Sequence, residues 1–256
     1  MPIQNTKVGT THIGRMFIAT VTSIWFTTMA NAALVDWENP AIKARVTELV
    51  TGASSPRERA VRIHDFVRDE IKFGWSSSFY DQRASEVLAS RVGFCNTKST
   101  LFIAMLRAAG IEARQRFVNI NSAIVNDFVQ PGTSYVDHSY TEVNLEGRWM
   151  KVDSYVVDKP LADRARSRLA REGKLVGYGV HRNGTSTWNG AQDAFSQYVD
   201  DGSYADLTTR DFGFYDDVNT FYDSGNGVNR LPWLARPFFG IFALVANASV
   251  EKIRSS

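Results

Sequence analysis

The spacing of apolar residues along the chain changes from a helical period to a strand period. A first helix is expected over Ala41 to Val50. Ser55-Pro56-Arg57-Glu58 then combines a capping hydroxyl, a proline at the first helical position and a glutamate three residues after the cap. This start predicts a second helix that runs to about Lys72, with one apolar stripe made by Ile63, Val67 and Ile71.

A later helical segment is apolar on most of its circumference. It follows a short helical turn around Ser85 to Ser90 and extends from Asn96 to Ala109, with Gly110 expected to end it in a left-handed conformation. Such a helix has no polar face for solvent, so we expect it to be buried at the centre of the fold. Cys95, the only cysteine of the chain, lies at its N-terminus.

Beyond Gly110 the apolar period falls to two, which predicts strands. The strands are expected at Ala113–Ile120, His138–Leu145 and Arg148–Val152, the last two joined by a hairpin turn at Glu146-Gly147. Helices followed by an antiparallel sheet indicate the α+β class. After Asp158 we predict a helix over Leu161–Glu172 and an aperiodic stretch to Asn229. Within residues 237–250 we expect a final helix that packs on the domain, with a membrane segment as the alternative.

The hairpin turn fixes which residues face each other. With an even-length loop, opposing residue numbers sum to 293, so His138 opposes Tyr155 and Tyr140 opposes Asp153. These four side chains are then expected on one face, with His138 and Asp153 as diagonal neighbours within side-chain reach. An odd-length loop would separate the pair.

Composition and charge describe a folded protein with an unusual N-terminal segment. Of 256 residues, 44% are hydrophobic and 22% are charged, and the net charge is +2. Residues 1–32 hold Lys7, Arg15 and no acidic residue, so without them basic and acidic residues balance at 27 each. This balance argues against a nucleic-acid or membrane-surface protein.

The N-terminal segment resembles an export signal. An uncharged stretch from Met16 to Val35 contains the small-residue pattern Ala30-Asn31-Ala32, which a signal peptidase reads. We therefore expect residues 1–32 to be a signal peptide and the protein to be exported, periplasmic or secreted. An uncleaved membrane anchor and an ordinary buried helix are the alternatives. The rest divides into an expected core, residues 33–160, and a C-terminal extension, residues 161–256.

The chemistry centres on Cys95. A thiol is nucleophilic as the thiolate, and a helix N-terminus favours an anion. A histidine oriented by a carboxylate would complete the machinery, and His138 with Asp153 provides that pair. An inert buried thiol is the alternative. We expect no metal, because His64 and His181 have no ligand spacing, and no cofactor. We expect His64 to lie on a helix surface or to be partly packed, and Lys98 to be exposed, with a role beside the thiolate as its alternative.

Three sequence boxes resemble those of the transglutaminase-like superfamily. Arg83-Ala84-Ser85-Glu86-Val87-Leu88 with Gly93-Phe94-Cys95, Lys98 and Leu106–Arg114 is similar to its cysteine box. His138–Val143 and Gly147–Asp153 are similar to its histidine and aspartate boxes. The resemblance covers roughly residues 57–160. It implies a papain-like α+β core in which the cysteine helix packs against the sheet.

The resemblance also implies an activity and roles. Members transfer acyl groups from amides to water or an amine, with Cys95 matching the nucleophile, His138 the general base and acid, and Asp153 the residue that orients it. We therefore expect a peptidase, amidase or transglutaminase-type enzyme acting on a protein or peptide amide through a thioester. A catalytically silent binding or scaffolding domain is the alternative, because folds outlive their chemistry.

Two departures from the superfamily pattern concern the cleft. Many members have a tryptophan two residues after the histidine, where this chain has Tyr140, and the backbone N–H of Cys95 is the only oxyanion donor we can name. Trp75 and Tyr80 precede the cysteine box and, with Tyr140, are candidates for lining a substrate groove. They are equally suited to be core aromatics.

Overall fold

The computed structural model describes residues 33–198, 208–230 and 233–256, so the expected signal peptide lies outside the described residues. The helices are α1 (Pro40–Val50), α2 (Pro56–Glu70), α3 (Ala84–Ser90), α4 (Cys95–Ala108), α5 (Lys159–Glu172), α6 (Val218–Asp223) and α7 (Phe239–Arg254). The strands are β1 (Lys72–Phe73), β2 (Val92–Gly93), β3 (Ala113–Asn121), β4 (Tyr135–Leu145), β5 (Arg148–Val152), β6 (Val176–Gly177), β7 (Val180–His181) and β8 (Thr208–Tyr215). Short 3-10 turns occupy Ser122–Ile124 and Trp233–Phe238.

The central layer is a four-stranded antiparallel sheet in the order β5-β4-β3-β8. Helix α4 packs against β3 and β4, and every residue of α4 from Cys95 to Leu106 is buried. The predicted α+β class is therefore confirmed, with the cysteine-bearing helix packed on an antiparallel sheet as in a papain-like core.

Helix α2 begins as its sequence predicts. The Ser55 hydroxyl accepts a hydrogen bond from the Glu58 N–H at 3.1 Å, and Pro56 occupies the first helical position. The Glu58 carboxylate reaches back to the N–H of Ser54 at 2.8 Å. These bonds satisfy backbone N–H groups that have no acceptor within the helix.

The β4–β5 hairpin has the register predicted from its turn. Leu145 pairs with Arg148 and Thr141 with Val152, and the positive φ angles of Glu146 and Gly147, 57° and 78°, are those of a tight type I′ turn. The even-length loop is confirmed.

The expected common face does not extend to Tyr155. Because β5 ends at Val152, the alternation of side chains stops there, and the Tyr155 hydroxyl instead bonds Ser99 Oγ at 2.7 Å and Thr141 Oγ1 at 2.8 Å beside α4. Tyr140 lies in a separate cluster on Tyr198. The placement of Tyr155 on the face of His138 and Tyr140 was wrong.

Strand β8 and helix α6 lie in the stretch where the sequence showed no period. β8 is an edge strand, and its pairing with β3 shifts register between Phe117 and Val118. Gly213 lies inside it with φ 81°. An irregular edge strand with an interior glycine has no strict alternation, which explains why the pattern missed it.

Two polar residues are more buried than we expected. Lys98 is fully buried, and its ammonium group donates to the Ile71 carbonyl at 2.6 Å. His64 is also fully buried, with Nε2 2.8 Å from Ser154 Oγ and Nδ1 2.9 Å from Asp65 Oδ1. Both expectations were wrong because each side chain has a specific internal partner, which the helical period does not reveal.

The C-terminal part of the chain is tied to the first part by polar contacts. Arg254 of α7 donates to both carboxylate oxygens of Asp158 and to the Phe73 carbonyl. Asn247 bonds the backbone N–H and C=O of Trp75 at 2.9 and 2.8 Å. Among the described residues, no helix is both long and apolar enough to cross a bilayer.

Candidate active site

Cys95 occupies the first position of α4, one residue after the short strand β2. It is 8% exposed, and its Sγ lies 3.7 Å from Asn96 Oδ1 and 4.0 Å from the Asp137 carbonyl. The first N–H groups of an α-helix have no partner within the helix. The sulfur therefore lies at a helix end whose dipole favours negative charge.

His138 lies between Cys95 and Asp153. Its Nε2 is 3.1 Å from Asp153 Oδ2, and both side chains are buried. Burial lowers the pKa of His138, but hydrogen bonds to Asp153 and Cys95 and their charges outweigh it and raise the pKa to about 9. Because Nε2 is committed to the carboxylate, Nδ1 is the ring nitrogen left for the thiol.

Asp153 is held by the backbone of a distant segment. Its carboxylate accepts hydrogen bonds from the N–H groups of Ser196, Gln197 at 3.3 Å and Tyr198 at 2.9 Å, in addition to His138. Together these donors hold the fully buried carboxylate in one position. Residues 196–198 therefore fix the carboxylate that His138 contacts.

Asn96 places a carboxamide beside the sulfur. The side chain is 1% exposed, its oxygen faces Sγ, and its Nδ2 is buried without a hydrogen-bond partner. A carboxamide can accept a hydrogen bond from a thiol or, after a flip, donate one to a thiolate. Asn96 can therefore serve both protonation states of Cys95.

An apolar cavity opens beside the sulfur, with a volume of about 140 Å³. Its polar lining residues are Cys95, Gln130, Asp137, His138, Gln197, Tyr222 and Asn229. Its aromatic wall comprises Phe73, Trp75, Phe79, Phe94, Phe239 and Phe242, and its aliphatic wall includes Ile120, Ile124, Val125, Val129 and Val136. Ligand sites commonly combine such a wall with few polar groups.

Comparison with known proteins identifies a family for the segment that carries these residues. Residues 43–154 match the sequence model of the transglutaminase-like superfamily, a segment that contains Cys95, His138 and Asp153. Residues 43–154 belong to the transglutaminase-like superfamily. The match supports a cysteine-dependent activity for this transglutaminase-like domain.

Two solved structures show local similarity to the chain. One is a candidate cysteine protease from Cytophaga hutchinsonii, with 16% identity and a TM-score of 0.39 over 47% of this chain and 38% of that one. The other is a candidate protease from Parabacteroides distasonis, with 15% identity and a TM-score of 0.34 over 46% of this chain and 25% of that one. The chain therefore spans well under half the length of either protein. No curated protein matches the sequence.

The three aromatic residues proposed for the groove of the transglutaminase-like domain have different positions. Trp75 lines the cavity, whereas neither Tyr80 nor Tyr140 is among its described lining residues. Tyr80 stacks on Tyr222 at 4.1 Å and supports the wall from behind, and Tyr140 stacks on Tyr198 at 5.7 Å. Of the three, Trp75 alone is among the described lining residues of the cavity, and the two tyrosines are packed in the core.

Sequence reasoning missed most of the polar lining residues of the cavity. The Asp137 carboxylate accepts from Asn119 at 2.9 Å and from the N–H groups of Val228 and Asn229 at 3.1 and 2.7 Å. Burial raises its pKa although these donors and the Tyr222 hydroxyl act against that shift. Gln197 and Tyr222 come from the aperiodic stretch and gave no signal. Asp137 had a positional signal, because it directly precedes His138, and so did the neighbouring Asn96, which directly follows Cys95.

Among the described residues, no group of three or more His, Cys, Asp or Glu side chains is arranged to hold a metal ion.

Proposed function

We propose that this protein hydrolyses an amide bond of a peptide or protein, with Cys95 as nucleophile, His138 as general acid and base, and Asp153 as the residue that orients the imidazole. One observation carries the proposal. The buried His138 ring bonds the Asp153 carboxylate through Nε2 and contacts the Cys95 thiol at a helix N-terminus. This arrangement supports an ion pair of thiolate and imidazolium.

Acylation begins when the thiolate of Cys95 attacks the amide carbonyl carbon. A C–S bond forms and the electron pair of the C=O bond moves to oxygen, where the Cys95 N–H and the helix dipole stabilise the charge. Collapse of this intermediate breaks the C–N bond. His138 gives its proton to the leaving amine, and a thioester remains on Cys95.

Deacylation consumes one water molecule. Neutral His138 takes a proton from water as its oxygen attacks the thioester carbonyl, and the C–S bond then breaks to release the acid. The thiolate and imidazolium are restored, so the net reaction is amide plus water to acid plus amine. Transfer to an amine would follow the same steps with an amine in place of water.

Alkylation of Cys95 tests the ion pair without a known substrate. Because Cys95 is the only cysteine, thiol alkylation by iodoacetamide, located by mass spectrometry, reports on it alone. At pH 6 an ordinary thiol with pKa near 8.5 is only about 0.3% ionised. We expect the folded protein to react at least about tenfold faster at pH 6 than the same protein in denaturant, because an ion pair keeps the sulfur ionised. A folded protein no faster than the denatured one would indicate the silent binding domain instead.

Turnover tests the reaction itself. Casein and a fluorescent primary amine are incubated together with the protein, and mass spectrometry scores new chain termini against amine incorporation. We expect new termini with the wild-type protein and none with Cys95→Ala. Incorporation of the amine without cleavage would reassign the protein to transamidation. Full activity in Cys95→Ala would exclude the proposed mechanism.

A further inference from the structure

The apolar cavity beside Cys95 suggests a substrate class. We propose that it holds an aromatic or large aliphatic side chain next to the scissile amide, and that Gln197 Oε1 accepts a hydrogen bond from the peptide N–H of that same residue. This inference rests on the proposed hydrolysis of a peptide amide and specifies its substrate.

The size and lining of the cavity select an apolar group. Apolar cavities of about 150 Å³ hold benzene, and this one measures about 140 Å³. No lysine or arginine is among its described lining residues, and the one cationic group there, His138, is already paired with Asp153 and Cys95. An acidic side chain would therefore find no free counter-ion. Asp137 is the one carboxylate in the described lining, and it already accepts from Asn119, Val228 and Asn229. A basic side chain would therefore compete with filled hydrogen bonds.

Gln197 adds an unused acceptor to this apolar space. The side chain is 4% exposed and lines the cavity, and its Nε2 donates to the Gly179 carbonyl at 2.8 Å. That bond fixes the orientation of the amide, because only the NH2 group can pair with a carbonyl oxygen. Oε1 is left buried without a partner. An unpaired buried acceptor is unfavourable, and a ligand that supplies a donor would gain from filling it.

The position of Gln197 relative to the reacting groups makes a peptide N–H the natural donor. Its backbone N–H bonds the Asp153 carboxylate at 3.3 Å, so Gln197 is anchored to the residue that orients His138. When a substrate places its carbonyl carbon at Cys95 and its side chain in the cavity, its backbone lies between Cys95 and the cavity, next to Gln197. Gln197 would then hold the backbone while the cavity holds the side chain.

Chloromethyl ketones test the substrate class without a known natural substrate. The thiolate displaces chloride from these reagents, so the labelling rate of Cys95 reports how well each reagent fits. Acetyl-phenylalanyl chloromethyl ketone is compared with the glycyl and aspartyl reagents, and each rate is divided by the iodoacetamide rate of the same protein. Burial of a phenylalanine side chain predicts about a 10- to 100-fold preference over glycine. The aspartyl reagent should be no faster than the glycyl one.

Two variants test whether the cavity causes the preference for the phenylalanyl over the glycyl reagent. Phe242 of α7 lines the cavity and is 39% exposed, so Phe242→Ala should reduce the phenylalanine-to-glycine ratio several-fold with little risk to folding. Leu244→Ala is the matched control, because Leu244 lies on the same helix, is 73% exposed and is not among the described lining residues. Its ratio should equal that of the wild type.

Methylation of the reagent's peptide nitrogen tests Gln197. In the wild type, the N-methyl phenylalanyl reagent should label about tenfold more slowly than the parent, because it leaves Oε1 unpaired. In Gln197→Met, which keeps the length of the side chain but lacks the amide, the two reagents should label at nearly the same rate. An equal N-methyl penalty in both proteins would overturn the role of Gln197.

The outcomes separate this inference from the proposed function. Fast iodoacetamide labelling at pH 6 with equal rates for the phenylalanyl and glycyl reagents would overturn the substrate class and leave the proposed hydrolysis standing. Faster labelling by the aspartyl reagent would also overturn it. Slow labelling by every reagent, no faster than in denaturant, would instead refute the proposed function on which the inference rests.

Discussion

Replacement of Asp153 by Asn removes the carboxylate that bonds His138 Nε2 and keeps the size of the side chain. The carboxylate is fully buried and accepts from three backbone N–H groups and from His138 Nε2. An asparagine has one oxygen, which can replace Oδ1 in front of Ser196 and Gln197. Its NH2 group would then face the Tyr198 N–H and the imidazole, two groups that need an acceptor.

The size of the effect follows from the bonds that are lost. Two hydrogen bonds to a charged acceptor contribute about 1.5–3 kcal/mol each, so the free energy of unfolding at pH 6 should fall by about 3 kcal/mol or more. The pKa of His138 is raised from 6.5 to about 9, a difference worth about 3 kcal/mol. If the bond to Asp153 accounts for half of this free energy, the variant loses about 1.5 kcal/mol of it. The ratio of the thiolate–imidazolium pair to the neutral thiol–imidazole pair should then fall about tenfold.

The pH dependence has a definite sign. The pKa of His138 in the folded protein lies above its unfolded value, so protonated His138 stabilises the fold fully below about pH 6.5, and this stabilisation is lost as pH rises through about 9. The difference in unfolding free energy between the wild type and Asp153→Asn should therefore be largest at pH 6 and shrink towards pH 9.5.

Urea denaturation at pH 6 and pH 9.5, together with iodoacetamide labelling at pH 6, measures both effects. The control is Asp193→Asn, since Asp193 is exposed and accepts one bond, from the Lys151 N–H at 2.9 Å, which asparagine can keep. The control should change neither quantity. Labelling of Asp153→Asn at the wild-type rate at pH 6 would refute the role of the carboxylate.

Three further substitutions test contacts around the site. Burial lowers the pKa of Lys98 to about 7, so between pH 7 and pH 10 the unfolded chain binds this proton more tightly than the folded protein does. In urea denaturation, the free energy of unfolding of the wild type should therefore rise with pH relative to that of Lys98→Met across this range. A difference between the two proteins that does not change with pH would contradict this. Asn96→Asp puts a second negative charge beside Sγ and should slow iodoacetamide labelling at pH 6 about tenfold, the equivalent of about 1.4 kcal/mol. The control is Asn189→Asp at an exposed position, which keeps the acceptor for the Ala191 N–H and should label at the wild-type rate. Equal labelling rates in the two variants would count against an effect of residue 96 on the Cys95 sulfur. Arg254→Met leaves Asp158 buried without its ion-pair partner and should lower the free energy of unfolding by about 3 kcal/mol. The control Lys252→Met, at an exposed position of the same helix, should lower it by less than about 0.5 kcal/mol. Similar losses in both variants would show that the ion pair has no special role.

The sequence predicted the elements that depend on local rules. The Ser55 cap, the apolar circumference of α4 and the Glu146-Gly147 turn each follow from a few neighbouring residues, and the structure has all three. The turn also set the register of β4 and β5. That register put His138 and Asp153 within reach of each other, and the structure has them 3.1 Å apart.

The features that the sequence did not predict depend on partners far along the chain. Lys98 is buried because the Ile71 carbonyl accepts from it, and His64 is buried because Ser154 lies 2.8 Å away, 90 residues later. Edge strand β8 pairs with β3 across about a hundred residues and shows no alternation. A helical or strand period reports which side of an element is apolar, but it carries no information about such pairings.

The three N–H groups that hold Asp153 have a consequence for transplanting the site. The superfamily segment, residues 43–154, contains the sulfur, the imidazole and the carboxylate, yet the donors to that carboxylate come from Ser196, Gln197 and Tyr198. A chimera that grafts only residues 43–154 onto another protein would carry every reacting atom and leave a buried anion without its backbone donors. The smallest portable unit is therefore discontinuous in sequence, and its second piece contains none of the reacting atoms.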